Sequence, residues 1–167
     1  MTNIRYTPIG VIHSPFTDPA DTPIQGVFAD GARGEVEVFP EYSDGLRDIG
    51  GFSHLILLYH FHLANGYSLI SKPFIGGGVE KGIFSIRHPR RPNHIGISIV
   101  RLENVRGNML EICDVDILNG TPLLDIKPFV HQFDHRADIQ SGWVHDQHID
   151  EVKEKTPRAL KGSLSKC

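Results

Sequence analysis

At 167 residues, with 40% hydrophobic and 22% charged side chains, the chain suits one globular domain with a proper core. A net charge of −3 excludes broad, nonspecific coating of nucleic acid but leaves room for a local basic patch. No apolar run is long enough to span a bilayer, and Met1 to Thr7 lacks a secretion signal's apolar centre. The two cysteines, Cys113 and Cys167, are therefore expected as free thiols of a cytoplasmic protein.

Thr7 to His13 reads as a first strand. Ser14 to Gly26 carries Pro15, Pro19 and Pro23 and forms a long loop ending in Gln25-Gly26, of the kind that often serves function. Gly34 to Phe39 alternates Glu35 and Glu37 with Val36 and Val38, a half-buried strand. Tyr42 to Ile49 suits a short helix, weakened by Gly45. His54 to Phe61 is nearly continuous apolar sequence, which predicts a strand covered on both faces. Ser71 to Gly82, with Gly76-Gly77-Gly78, reads as a turn region rather than a ligand cradle.

From Gly82 to Leu102, two apolar segments (Ile83 to Ile86 and Ile95 to Leu102) flank a cationic connection and are read as strands. Pro89 and Pro92 fix their own φ angles and push His88 and Arg91 toward extended conformations. Arg87, Arg90, Arg91 and Asn93 thus sit on a stiff, donor-rich loop suited to an anion or a ligand. A charged loop that simply faces water is equally compatible with the spacing; the prolines, by lowering the ordering cost, favour binding.

Val105 to Asn108 makes a turn, and Cys113, Val115 and Ile117 alternate with Asp114 and Asp116 as a further strand. Asn119-Gly120-Thr121-Pro122 is a strong turn, and Leu123 to Val130 is a last strand closed by Pro128. Asp125 and Lys127 point to one face of it, either as a surface ion pair or as a carboxylate and cation at a ligand site. A polar helix is expected from Asp146 up to Pro157, then a frayed tail. The fold class is all-β with short helices: one closed or nearly closed barrel over residues 5–143, and an extension over 144–167 that is partly helical or mobile.

The chain has no phosphate loop, dinucleotide fingerprint, Cys-x-x-Cys pair or nucleophile elbow. Ten histidines invite a metal reading, through His131 and His135 or through His60 and His62. No spacing matches a ligand set, and the sequence around Pro128 gives no sign of a helix, so no metal is expected.

Four stretches resemble one known family. They are Ile9 to Phe16 with Gln25 after it, Gly51 to Leu55 leading to His60-Phe61-His62, Phe84 to Ser98, and Asp116 to Pro128. In that order, over about residues 5–143, they resemble the TsaA-like (also called YaeB-like) proteins, whose TrmO-type branch methylates tRNA. His88 and His94 stand where the family usually has serine and proline.

The resemblance implies a β-barrel that binds S-adenosyl-L-methionine, commonly as a homodimer. It implies cofactor contacts from Gln25, Phe61, His62, Arg91, Val100, Thr121, Pro122, Leu123, Leu124 and Asp125. Asp125 and Lys127 would act in catalysis, and Arg87, Arg90, Asn93 and Lys127 would bind substrate, expected to be the exocyclic nitrogen of threonylcarbamoyladenosine beside a tRNA anticodon. Rival readings are a methyltransferase of this fold acting on a small molecule or another nucleic acid, a non-catalytic cofactor- or RNA-binding module, and, more distantly, a metal hydrolase.

Overall fold

The chain winds six antiparallel strands into a closed barrel of order β1-β2-β7-β6-β3-β8. The strands are β1 (Gly10–His13), β2 (Arg33–Val38), β3 (His54–His60), β6 (Ile95–Arg106), β7 (Met109–Cys113) and β8 (Thr121–Pro128). A separate two-stranded ladder, β4 (Ile70–Ser71) with β5 (Lys81–Gly82), rises from the connection between β3 and β6. This computed structural model describes residues 4–155 and Cys167.

Period-two patterning drives closure. Ile12, Val36, Val38, Leu55, Leu57 and Val100 point inward with Leu110, Ile112 and Leu123, and all are at most 2% exposed. Burying each such side chain contributes on the order of 2 kcal/mol. The outward residues of β3, Ile56 and Leu58, are only part-covered, so the strand predicted to be covered on both faces is sealed on one. Closure leaves no free edge in the barrel, which removes the aggregation hazard of an open sheet.

Several boundaries differ from the periodicity; β6, for instance, runs on to Arg106 through residues read as a turn. Ile83 to Ile86 is not a strand: Ile83–Ser85 forms a 3-10 turn, because Arg91 Nη1 donates to the carbonyls of both Ile83 (3.1 Å) and Ile86 (2.6 Å) and bends the segment around its guanidinium. The strand read through Cys113 to Ile117 stops at Cys113, where Asp114 takes a left-handed conformation (φ 64°). Aspartate tolerates that region better than most residues. The helix read over Tyr42 to Ile49 is a 3-10 segment, Pro40–Leu46.

Beyond β8 the chain makes one helical turn, α1 (His131–Asp134), although nothing in the sequence announced a helix there. It stacks the rings of His131 and His135, with centroids 4.9 Å apart. The predicted polar helix follows as α2 (Asp146–Lys155); the tail expected after Pro157 lies outside the described residues, Cys167 excepted. Between them Trp143 braces the β4–β5 hairpin. Its Nε1 donates to the Ser85 carbonyl (2.9 Å) and Lys81 Nζ lies 5.5 Å from its ring centre.

The expectation of two free thiols is corrected. Cys113 and Cys167 form a disulfide, with Cα atoms 6.3 Å apart. The last residue reaches the barrel because its backbone N–H donates to the Gly31 carbonyl at 3.2 Å, which sets it beside the fully buried Cys113.

Candidate functional site

The end of β3, the cationic loop and the segment before β8 converge on a cavity of about 410 Å³. That volume is in the range of small-molecule sites, roughly 300–1,000 Å³. Tyr59, Phe61 and His62 wall it from β3 and the turn that follows. Phe74 enters from the β4–β5 hairpin and stacks on His88, with ring centres 5.0 Å apart and planes at 10°. Arg90 lines it from the cationic loop, Asp116 and Leu118 from the segment before β8, and Thr121 from the start of β8.

At its base is a buried polar chain. Tyr59 OH and Ser98 Oγ are 3.1 Å apart, and Ser98 Oγ donates to Asp116 Oδ1 at 2.5 Å. Asp116 is only 9% exposed. Burial pushes its carboxyl up to about 6, against the opposing pull of hydrogen bonds from Ser98 and from the backbone N–H groups of Asp116 and Gly26, and of the Arg87 charge. Burial and the nearby Asp116 likewise hold the Tyr59 phenol above its usual range. His62 and His88 are pulled down by desolvation and by neighbouring positive charge, His60 for the first and Arg90 and Arg91 for the second.

A stability prediction follows with a definite sign. Because folding raises the Asp116 pKa, protonation favours the folded state, so its contribution is largest at low pH. It declines as pH rises from about 4 through about 6. His62 and His88, with lowered values, act oppositely, since their contribution is lost as pH falls. Asp116→Asn keeps the shape and removes the buried charge. It is expected to melt above wild type at about pH 8, by on the order of 2 kcal/mol, with the gap closing toward about pH 4. Thermal melts across that range check this; a gap independent of pH would refute it.

The structure distributes the sequence-derived residues unevenly. Phe61, His62, Arg90 and Thr121 meet in the cavity. Gln25 and Arg87 join the loops on either side, Arg87 Nη1 donating to Gln25 Oε1 at 2.6 Å. Arg91 is spent on backbone carbonyls and lies over the Phe84 ring, and Asn93 is exposed in the next turn. Val100 and Leu123 are fully buried in the barrel core and do not line the cavity. Pro122 and Leu124 are half-buried on β8. Asp125 and Lys127 form a 2.7 Å ion pair opposite Leu58 and Ile56, on the outer face of the barrel.

Sequence reasoning passed over Tyr59, Phe74, His88, Ser98 and Asp116. Asp116 stood inside a recognised block, yet a regular strand gave no reason to turn it inward; the left-handed Asp114 does that.

Two other groupings are explained without a ligand. A second cavity of about 370 Å³ is bordered by Glu35, Glu103 and Glu111, but Arg106 pairs with Glu35 and Glu111, and Arg101 pairs with Glu103. Among the described residues, only Glu103, Cys113 and Cys167 cluster closely enough to hold a metal, and the disulfide occupies both sulfurs.

Comparison with known proteins adds the following. Residues 11–135 match the tRNA-methyltransferase O N-terminal domain family. A Pyrococcus abyssi protein described as a probable S-adenosyl-L-methionine-binding protein is 55% identical over 141 residues, 84% of this chain and 76% of that one. The tRNA (adenine(37)-N6)-methyltransferase of Escherichia coli is 34% identical over 139 residues, 78% of this chain and 59% of that one. The crystal structure of TrmO from Pseudomonas aeruginosa superposes with a TM-score of 0.72 at 37% identity, covering 84% of this chain and 62% of that one. This chain thus spans about three-fifths of the last two proteins.

Proposed function

The chain belongs to the tRNA-methyltransferase O N-terminal domain family, and from that premise we propose that it is an S-adenosyl-L-methionine-dependent methyltransferase acting on tRNA. The observation that carries this reading is the cavity itself. Segments as far apart as Phe61-His62, Arg90 and Thr121 build one pocket of ligand size inside the matched region. Its contents suit the cofactor: flat aromatic walls for a purine, a guanidinium for a carboxylate, and a buried carboxylate for a positive charge.

When bound, S-adenosyl-L-methionine supplies an activated methyl group on a positively charged sulfur. The protein then needs to position and desolvate rather than provide a nucleophile. Arg90 and the Gln25–Arg87 pair are assigned to anionic groups at the mouth, the cofactor carboxylate or an RNA phosphate. Gln25, Arg91 and the Thr121–Asp125 stretch are assigned to framing the cofactor, with Val100 and Leu123 supporting the wall from the core. Asn93 is assigned to substrate. Asp125 and Lys127, on the outer wall, are assigned to the incoming nucleotide, the lysine for its carboxylate or phosphate and the aspartate for the proton released on methylation. The specific target we propose is the exocyclic nitrogen of threonylcarbamoyladenosine beside the anticodon, which places the reaction in the cytoplasm. Residues 5–143 are assigned to the catalytic barrel, and 144–167 to a C-terminal extension of it.

The test is methylation of tRNA bearing threonylcarbamoyladenosine, read by mass spectrometry of the digested nucleosides. The expected result is a mass gain on that nucleoside equal to one methyl group in place of one hydrogen. Cofactor binding without transfer to any tRNA would favour the binding-module reading.

A second copy is the partner we propose for the outer face of β3 and β6. There Ile97 and Ile99 remain 47% and 48% exposed beside Ile56 and Leu58. Ile97→Asp is expected to shift the protein from dimer to monomer in light scattering while leaving the fold intact. A wild-type protein that sediments as a monomer would refute the assignment.

A further inference from the structure

Among the described residues, Asp116 is a buried carboxylate with donors but no ion-paired counter-cation. Ser98 Oγ and the backbone N–H groups of Gly26 and of Asp116 itself reach it. No lysine or arginine among the described residues lies within ion-pairing distance of it. Arg87 contributes only at longer range and is already engaged by Gln25. The carboxylate faces a cavity whose lining includes the rings of Tyr59, Phe61, His62, Phe74 and His88, with Arg90 as the one guanidinium among the described lining residues and not ion-paired to it. An uncompensated anion beside aromatic faces is the environment that recognises onium cations.

Resting on the cofactor reading above, we propose that Asp116 is the anionic counterpart of the ligand's sulfonium, and so makes the cavity selective for the charged methyl donor over its neutral thioether product. A bound cation supplies the charge partner that the fold withholds, offsetting part of the desolvation that Asp116 bears in the empty site. Transfer of the methyl group removes the positive charge from sulfur, and the anion that attracted the donor no longer holds the product. The amino-acid ammonium is common to both molecules, so the difference between them isolates the sulfonium.

Every group facing Asp116 enters the pH dependence. Tyr59 stays neutral and Ser98 does not titrate, while the nearby guanidiniums are those of Arg87, which acts on Asp116 at longer range, and Arg90, which lines the same cavity. His62 and His88 lose positive charge as pH rises and favour the donor in the same direction as ionisation of Asp116. Their share persists when Asp116 is replaced.

The experiment is calorimetric titration of the full chain with S-adenosyl-L-methionine and with S-adenosylhomocysteine between about pH 5 and 8. Wild type, Asp116→Asn and Ser98→Ala are compared, each checked for folding by thermal melt. Asp116→Asn is expected to lose about tenfold or more in affinity for the sulfonium donor, with little change for the thioether. Ser98→Ala removes a donor to the carboxylate, so it moves the pH midpoint of the donor preference upward while keeping the preference at high pH. An unchanged donor-to-product ratio in Asp116→Asn, or a midpoint that Ser98→Ala leaves in place, would overturn the proposal. If wild type binds neither ligand, even with tRNA present, the cofactor reading itself fails, a result distinct from either of these.

Discussion

Gly96→Ala is expected to destabilise the protein by about 3 kcal/mol and to weaken ligand binding with it, although it adds a single methyl group to a strand. Gly96 opens the inward-facing row of β6 directly opposite Tyr59 of β3. A Cβ at position 96 would land on the Tyr59 ring, against Cε2 and Cζ. The ring cannot yield easily: it is 5% exposed, its hydroxyl is bonded to Ser98, and Phe61 packs edge-on against it with centroids 5.4 Å apart. Displacing it also deforms the cavity wall. Denaturant melts of Gly96→Ala, Tyr59→Leu and the double variant check this. The double variant is expected to be more stable than the sum of the singles by about 1 kcal/mol or more, since the smaller side chain vacates the space. Strict additivity would show that the two positions do not share that space.

Reduction of the disulfide is expected to lower stability by about 4 kcal/mol, on the order of 10 °C in the melting temperature. The bond joins residues 54 apart in sequence and so restricts a long loop of the unfolded chain. That loop contains Asp116 and Thr121, so the tether closes around one wall of the cavity. Cys167→Ser separates the cross-link from core packing, because Cys167 is exposed whereas Cys113 is buried. The variant is expected to melt like reduced wild type and to ignore added reductant. A wild-type melt that is itself unaffected by reductant would refute the role given to the bond.

Both results concern contacts between distant parts of the chain, where the sequence was least legible. Its strands were readable because each buries one face: Val36 and Val38, alternating with Glu35 and Glu37, follow a period of two that needs no partner to be recognised. The cationic loop was readable because Pro89 and Pro92 constrain the backbone locally. Gln25 and Arg87 were named as site residues, but 62 positions separate them and only the folded chain shows that they bond to each other. Arg91 illustrates the converse. Its charge reads as a ligand contact, whereas in the fold it holds the Ile83–Ser85 turn in shape.

By itself, then, the sequence determined the all-β class, most strand positions, the stiff arginine loop and membership in a recognisable family. Those features rest on local sterics, on alternation and on contiguous motifs. Tertiary structure alone decided which of the named residues share a cavity, that Val100 and Leu123 belong to the core, that Asp125 and Lys127 lie outside it, and that the two cysteines meet. It also decided that Asp116 faces inward. One left-handed residue, Asp114, ends the strand and turns the next segment, and burial then gives an ordinary aspartate its altered acidity. Alternation cannot encode such a reversal, because the energy that selects it comes from Gly26, Ser98 and Tyr59, which are distant in sequence and adjacent only after the barrel closes.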